Sequence, residues 1–161
     1  MKALNARIGG VWTQQGTKLV GSGSVGVAEQ GGSVALSADG NTAIVGGPED
    51  NLLAISNFVQ QGVGATWVFT RSNGFWKQQG NKLVGTGAVG QSSQGASVAL
   101  SPDGNTAFVG GPGDNSFAGA AWVFVQLTKD DCKNGGWLNF PSPPGPFTNQ
   151  GRCVSYFAKQ K

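Results

Sequence analysis

The chain has 161 residues, with 28 glycines and 7 prolines, a charged fraction of only 12% and a formal net charge of +3. Such a composition, with its aliphatic and Phe content just above the level where disorder becomes the default, reads as an all-β chain with many tight turns. The absence of histidine removes the Ser-His-Asp and Cys-His nucleophile systems, histidine metal sites and an imidazole general base.

In chain order, the opening MKALNARIGG has no apolar stretch of the kind a secretory signal needs. Residues 11–20 (VWTQQGTKLV) read as a leading strand. Residues 33–36 (SVAL) form a short strand that ends at Ser37-Ala38-Asp39-Gly40-Asn41. Asp-Gly supplies the positive-φ corner of a hairpin, so residues 42–46 are expected to return antiparallel. Gly47-Pro48 stops that strand and a surface loop follows. Residues 65–71 (ATWVFTR) are rich in β-branched and aromatic types and make a third strand. Ser72-Asn73-Gly74 turns the chain into a fourth, residues 75–84. The same succession returns at 97–100, 106–110 and 120–126. The roles expected of Asp39, Gly40, Asp103 and Gly104 are those of turn residues.

The recurrence is an internal repeat. Residues 12–51 and 76–115 are identical at 29 of 40 positions, sharing W-x-QQG-x-KLVG-x-G-x-VG and QG-x-SVALS-x-DGNTA-x-VGGP-x-DN. Beyond them GATWVF at 64–69 matches GAAWVF at 119–124, the shift arising from an insertion at 52–63. Repeats of this length fit four-stranded propeller blades.

The pattern QG-x-SVALS-x-DGNTA-x-VGGP…GA-x-WVF resembles the bacterial relatives of the FG-GAP repeat, the unit of integrin α-chain β-propellers. Gln30-Gly31 and Gln94-Gly95 stand for Phe-Gly, and Gly46-Gly47-Pro48 and Gly110-Gly111-Pro112 for Gly-Ala-Pro. The resemblance covers residues 12–126 and implies two four-stranded antiparallel blades, a partial propeller, with repeats at 12–75 and 76–127. Many such repeats bind calcium through a turn of alternating acidic residues. Here the equivalent turns, 37–42 and 101–106, hold one Asp each, a poor cage for a cation that takes six to eight oxygens, so no cofactor is expected and calcium is the one metal the resemblance raises. Residues 48–51 and 112–115 read as polar loops. Trp12, Trp67, Trp76 and Trp122 sit at equivalent strand positions and are expected to pack the blades rather than stack on a sugar.

From residue 128 to 161 the composition changes to a Pro- and aromatic-rich segment holding Cys132 and Cys153. Its C-K-N-G-G-W-x-x-F…PF-x-NQG-x-C-V-S string resembles a short segment at the ends of otherwise unrelated exported bacterial proteins. The two cysteines enclose too few apolar groups for a core of their own, which points to a disulfide and an oxidising compartment. Two thiols without histidine cannot complete a zinc site.

Three function classes follow: an extracellular or cell-surface module that binds a protein or glycan, a structural spacer or piece of a larger propeller, and a propeller hydrolase. An enzyme would have to draw its carboxylates from Asp39, Glu49, Asp50, Asp103, Asp114, Asp130 and Asp131, none of which forms an apolar-flanked pair suited to acid–base work. The basic residues form no cluster with interleaved aromatics, which argues against nucleic acid, and no apolar run approaches the ~20 residues of a spanning helix. The non-catalytic binding module is the favoured reading. The second repeat lacks a fourth strand, while residues 11–20 supply a matching one at the other end, so self-association by strand exchange is expected.

Overall fold

The computed structural model describes residues 10–51, 62–139 and 147–159. It divides into two compact units, Met1–Phe124 and Val125–Lys161. The boundary falls three residues before the change in composition at 127/128. The loop expected at 52–63 lies outside the described residues, apart from Gly62 and Val63.

The first unit is built from two antiparallel sheets. One contains β1 (Ser33–Leu36), β2 (Thr42–Gly47), β3 (Ala65–Ser72) and β4 (Phe75–Gln78), hydrogen-bonded in that order. Its register places Ala35 opposite Ile44, Val45 opposite Trp67 and Arg71 opposite Trp76. The second holds β5 (Ser97–Leu100), β6 (Thr106–Gly111) and β7 (Ala120–Val125) in sequence order, with Ala99 opposite Phe108. A single turn, α1 (Asp114–Phe117), left-handed at Asn115, Ser116 and Phe117 (φ +47°, +57° and +69°), joins β6 to β7.

Two strand expectations need correction. The fourth strand of the first sheet ends at Gln78, not residue 84, because Gly80 takes φ +67° and turns the chain. The backbone rejoins the sheet at Leu83, which exchanges hydrogen bonds of 2.7 and 3.0 Å with Thr66. Residues 11–20 form no strand at all. The copy-two equivalent of this segment is β4 with its continuation, which pairs with the sheet of the preceding repeat. Among the described residues copy one has no preceding sheet to pair with.

Apolar side chains form two cores in this unit. Ala65, Trp67 and Phe69 of β3 are buried with Ala28, and half-buried Val45 and Trp76 pack against them. Between the sheets, Ile44 is buried against Ala107 and Val109, flanked by Ala35, Val98, Leu100 and Phe124. Burying a side chain the size of Ile44 contributes about 1.5–3 kcal/mol. The strands alternate accordingly: Ala35 turns towards this core while Val34 and Leu36 face away, and in the second sheet Val98 and Leu100 turn inward while Ala99 faces away. Polar contacts lock the joint. Ser33 Oγ donates to the Gly95 carbonyl (2.7 Å), Ser92 Oγ and the Gln94 amide both donate to the Val63 carbonyl (2.8 Å each), and the Ala38 amide donates to the Pro102 carbonyl (2.9 Å).

The second unit is small and partly helical, which its composition did not suggest. Two 3-10 turns, Lys129–Cys132 and Gly136–Asn139, precede helix α2 (Gln150–Ala158). Thr128 caps the first turn in a reciprocal box with Asp131, and Asn149 Oδ1 accepts from the Arg152 amide (2.9 Å) to open α2. Cys132 and Cys153 are bonded to each other across a sequence separation of 21, with Cα atoms 5.7 Å apart. The fully buried disulfide is the centre of the unit's core, surrounded by Leu127, Trp137, Phe147, Val154 and Phe157. With so few apolar side chains, the cross-link contributes about 3 kcal/mol by restricting the unfolded chain.

Candidate functional site

The Ser-x-Asp-Gly-Asn turns are closed by their own side chains. Asp39 Oδ1 accepts from Ser37 Oγ (2.6 Å) and the Asn41 amide (2.9 Å), while Oδ2 accepts from Asn41 Nδ2 (2.9 Å). Ser37 Oγ in turn accepts from the Thr42 amide (2.9 Å). Gly40 sits at φ +69°, which a side chain would strain. Asp103 repeats the pattern with Ser101 and Asn105, and Gly104 takes φ +75°. These donors, the Ser37 hydroxyl foremost and then the Asn41 backbone, hold the Asp39 carboxyl down at about 2. The Ser101 hydroxyl, then the Asn105 backbone, lowers Asp103 likewise. Both oxygens of each carboxylate are thus engaged within the turn.

The four tryptophans part company. Trp67 is fully buried, and its indole N–H donates to the Ser22 carbonyl (2.8 Å). Trp122 is half-buried and donates to the Thr86 carbonyl (2.8 Å). A Cβ at Gly21 would fall inside the Trp67 indole, and one at Gly85 inside that of Trp122, so only glycine lets these segments cross the rings. Gln30 fixes the crossing like a second peptide group: its Oε1 accepts from the Gly21 amide (2.6 Å) and its Nε2 donates to the Gly21 carbonyl (2.8 Å). Gln94 does the same for Gly85. Trp76 is half-buried and carries the Arg71 guanidinium 5.4 Å from its ring centre. Trp12 is 91% exposed, contrary to the packing role expected of it, because the segment that carries it joins no sheet edge among the described residues.

The polar loops after β2 and β6 proved to be structural nodes. Asp50 is fully buried; its Oδ1 accepts from the Val25 amide (2.9 Å), and its Oδ2 is ion-paired with Lys82. Asp114, also buried, accepts from the Val89 amide (2.8 Å) through Oδ1. The Asn after each Asp donates its amide to the same valine's carbonyl, Asn51 to Val25 and Asn115 to Val89 (2.9 Å each). The recurrence of Lys18 and Lys82, together with Pro-x-Asp-Asn in both copies, was the available signal, and loop-like composition masked it. Glu49 accepts from the Gly62 amide (3.3 Å). In the second unit Asp131 caps the first 3-10 turn, and Asp130 pairs at the surface with Lys133 (2.7 Å), whose hydrogen bond and charge lower its pKa.

Chemically, this inventory offers anchored turns and nodes. Asp39 and Asp103 lie in separate turns, and Asp50 and Asp114 in separate nodes, each engaged with its own donors. Among the described residues there is no group of three or more metal-ligating side chains, and no helix is long and apolar enough to cross a membrane. The second unit has an open cleft of about 550 Å³ bounded by Phe147, Asn149, Arg152, Tyr156 and Lys159. No family model matches the chain, and no curated protein is significantly similar to it.

Proposed function

We propose that the chain is a non-catalytic extracellular repeat module, of the FG-GAP β-propeller type, that binds a protein or glycan partner through loops carried on its sheets. The observation that carries this reading is the engagement of its carboxylates. Asp39 and Asp103 close turns, Asp50 is spent on an ion pair and a backbone amide, Asp114 holds a backbone amide, and Asp130 and Asp131 hold the tail. A general acid needs a carboxyl whose pKa is raised towards neutrality; the shifts at Asp39, Asp103 and Asp130 run the other way. The disulfide supports an oxidising, exported setting. Rigid sheets with variable connections are a common scaffold for recognition loops.

The test is a glycan array and a panel of extracellular matrix proteins probed with the labelled, disulfide-intact chain, alongside a panel of glycosides and esters as substrates. Saturable binding without turnover is expected. Binding to no member of either panel would favour the spacer reading, and turnover abolished by an Asp→Asn substitution would favour an enzyme.

A further inference from the structure

The two repeats are joined by one set of contacts, and both halves of that set recur, unused among the described residues, on the outer sides of the two repeats. From this we infer that copies of the chain associate head to tail through a joint that reproduces the internal one. The inference does not depend on the choice of partner above.

Three independent features of the internal joint have open counterparts. The first is the ion pair. Buried Asp50 receives Lys82, which lies in the opening segment of the following repeat. Its equivalent, Asp114, is buried too, and its Oδ2 has no partner among the described residues, while Lys18, the equivalent of Lys82, is equally unpaired. The second is the sheet edge. The segment carrying Lys82 covers β3 through β4 and the Thr66–Leu83 bridge. The corresponding strand β7 closes a three-stranded sheet, with no fourth strand among the described residues. The segment that matches β4 and its continuation, residues 11–20, is exposed and pairs with no strand. Its one described side-chain bond to the first sheet is a surface contact from Arg71 Nη1 to Gln15 Oε1 (3.2 Å).

The third is the apolar face. Ile44 of the first sheet is fully buried against the second, whereas its equivalent Phe108 is 52% exposed. On the other side, Val98 and Leu100 are half-buried in the joint, whereas Val34 and Leu36 are 67% and 56% exposed. The outer face of the second sheet therefore has the character of the Ile44 face, and the outer face of the first has the character of the Val98–Leu100 face. A second copy is the occupant that fits, because its outer face already has this shape on the same chain.

In the inferred joint, Phe108 of one copy packs on Val34 and Leu36 of the next. Leu19 exchanges backbone bonds with Ala121, and Lys18 reaches Asp114. Gly21 stays on its own Trp67, as Gly85 stays on Trp122 while the segment before it crosses to the first sheet. Two internal bonds have no counterpart: Ala38 donates to Pro102, and Pro102, at the equivalent place, has no N–H to give, while Ala28, at the place of Ser92, has no hydroxyl to donate. Contacts of this heterologous kind close into a ring when the rotation per copy divides a turn and grow into filaments otherwise.

The two faces differ, so they can be blocked separately. Phe108→Asp blocks one and the double variant Val34→Asp/Leu36→Asp the other; all three positions are exposed, and circular dichroism confirms folding. By light scattering at tens of micromolar, the unaltered full-length chain is expected to exceed monomer mass. Each blocked chain alone should be monomeric, and an equal mixture should form a heterodimer joined by the two intact faces. Lys18→Ala should weaken that heterodimer roughly thirtyfold or more, the usual consequence of removing one partner of a buried charge pair. A monomeric unaltered chain, blocked chains that still assemble, or a mixture that stays monomeric would each overturn the inference.

Discussion

The two sheets of the first unit are near copies in sequence and unlike in environment. Ile44 is enclosed and Phe108 is open; Trp67 is buried and Trp122 half-buried; Asp50 has its lysine and Asp114 has none among the described residues. The local devices, by contrast, are the same in both: the Asp-closed turn, the glutamine clamp on glycine, and the glycine under the indole. What a repeat encodes within itself is therefore reproduced wherever it occurs. What it encodes for its neighbour appears only where a neighbour exists.

Paired substitutions at equivalent positions sharpen that contrast. The largest difference is expected at the tryptophans: Trp67→Ala should cost about 4 kcal/mol by opening a cavity in a closed core, and Trp122→Ala about 2 kcal/mol at a half-buried site. Urea melts of the first-unit transition measure both, and equal losses would break the comparison. Next comes the lysine pair. Lys82→Ala strands the buried Asp50 carboxylate and should cost about 2 kcal/mol, below the usual range for buried pairs because the ammonium keeps some solvent. Lys18→Ala in a monomeric, face-blocked chain should leave the same melt within about 0.5 kcal/mol.

The smallest effect concerns acid. The Asp39 carboxyl lies below its ordinary value in the folded chain, so its contribution is complete above about pH 4 and lost as pH falls through about 2. Urea midpoints of the parent chain should accordingly drop across that window. Asp39→Asn should flatten the drop and Asp103→Asn should flatten it also, since both turns are built alike. A parent chain whose midpoint holds steady from pH 4 to 2 would show that the turn bonds do not favour the charged form.

Much of the first unit was legible because its signals are local. SVAL alternation, the Asp-Gly corners and the β-branched ATWVFT run placed β1, β2, β3, β5 and β6 to within a residue, and β7 ended one residue early. The failures arose where the outcome depends on a partner. Residues 11–20 have the composition of a strand, but strand pairing needs an edge, and Trp12 is exposed for the same reason. Asp50 resembled any acidic loop residue because nothing in PEDN reveals that Lys82, 32 positions on, will arrive above it. Helix α2 was missed because QGRCVSYFA contains a glycine and β-branched and aromatic residues; its Asn149 cap and disulfide anchor supply what propensity does not.

The strand that completes the first sheet belongs, by sequence, to the second repeat. Genetic unit and structural unit are therefore out of phase, like roof tiles that each overlap the one before. A duplication of one whole repeat would leave every existing joint intact and add one more of the same kind. Such a chain can change in length over evolutionary time without any new contact having to be invented, and two such lengths would share one chemistry at each seam.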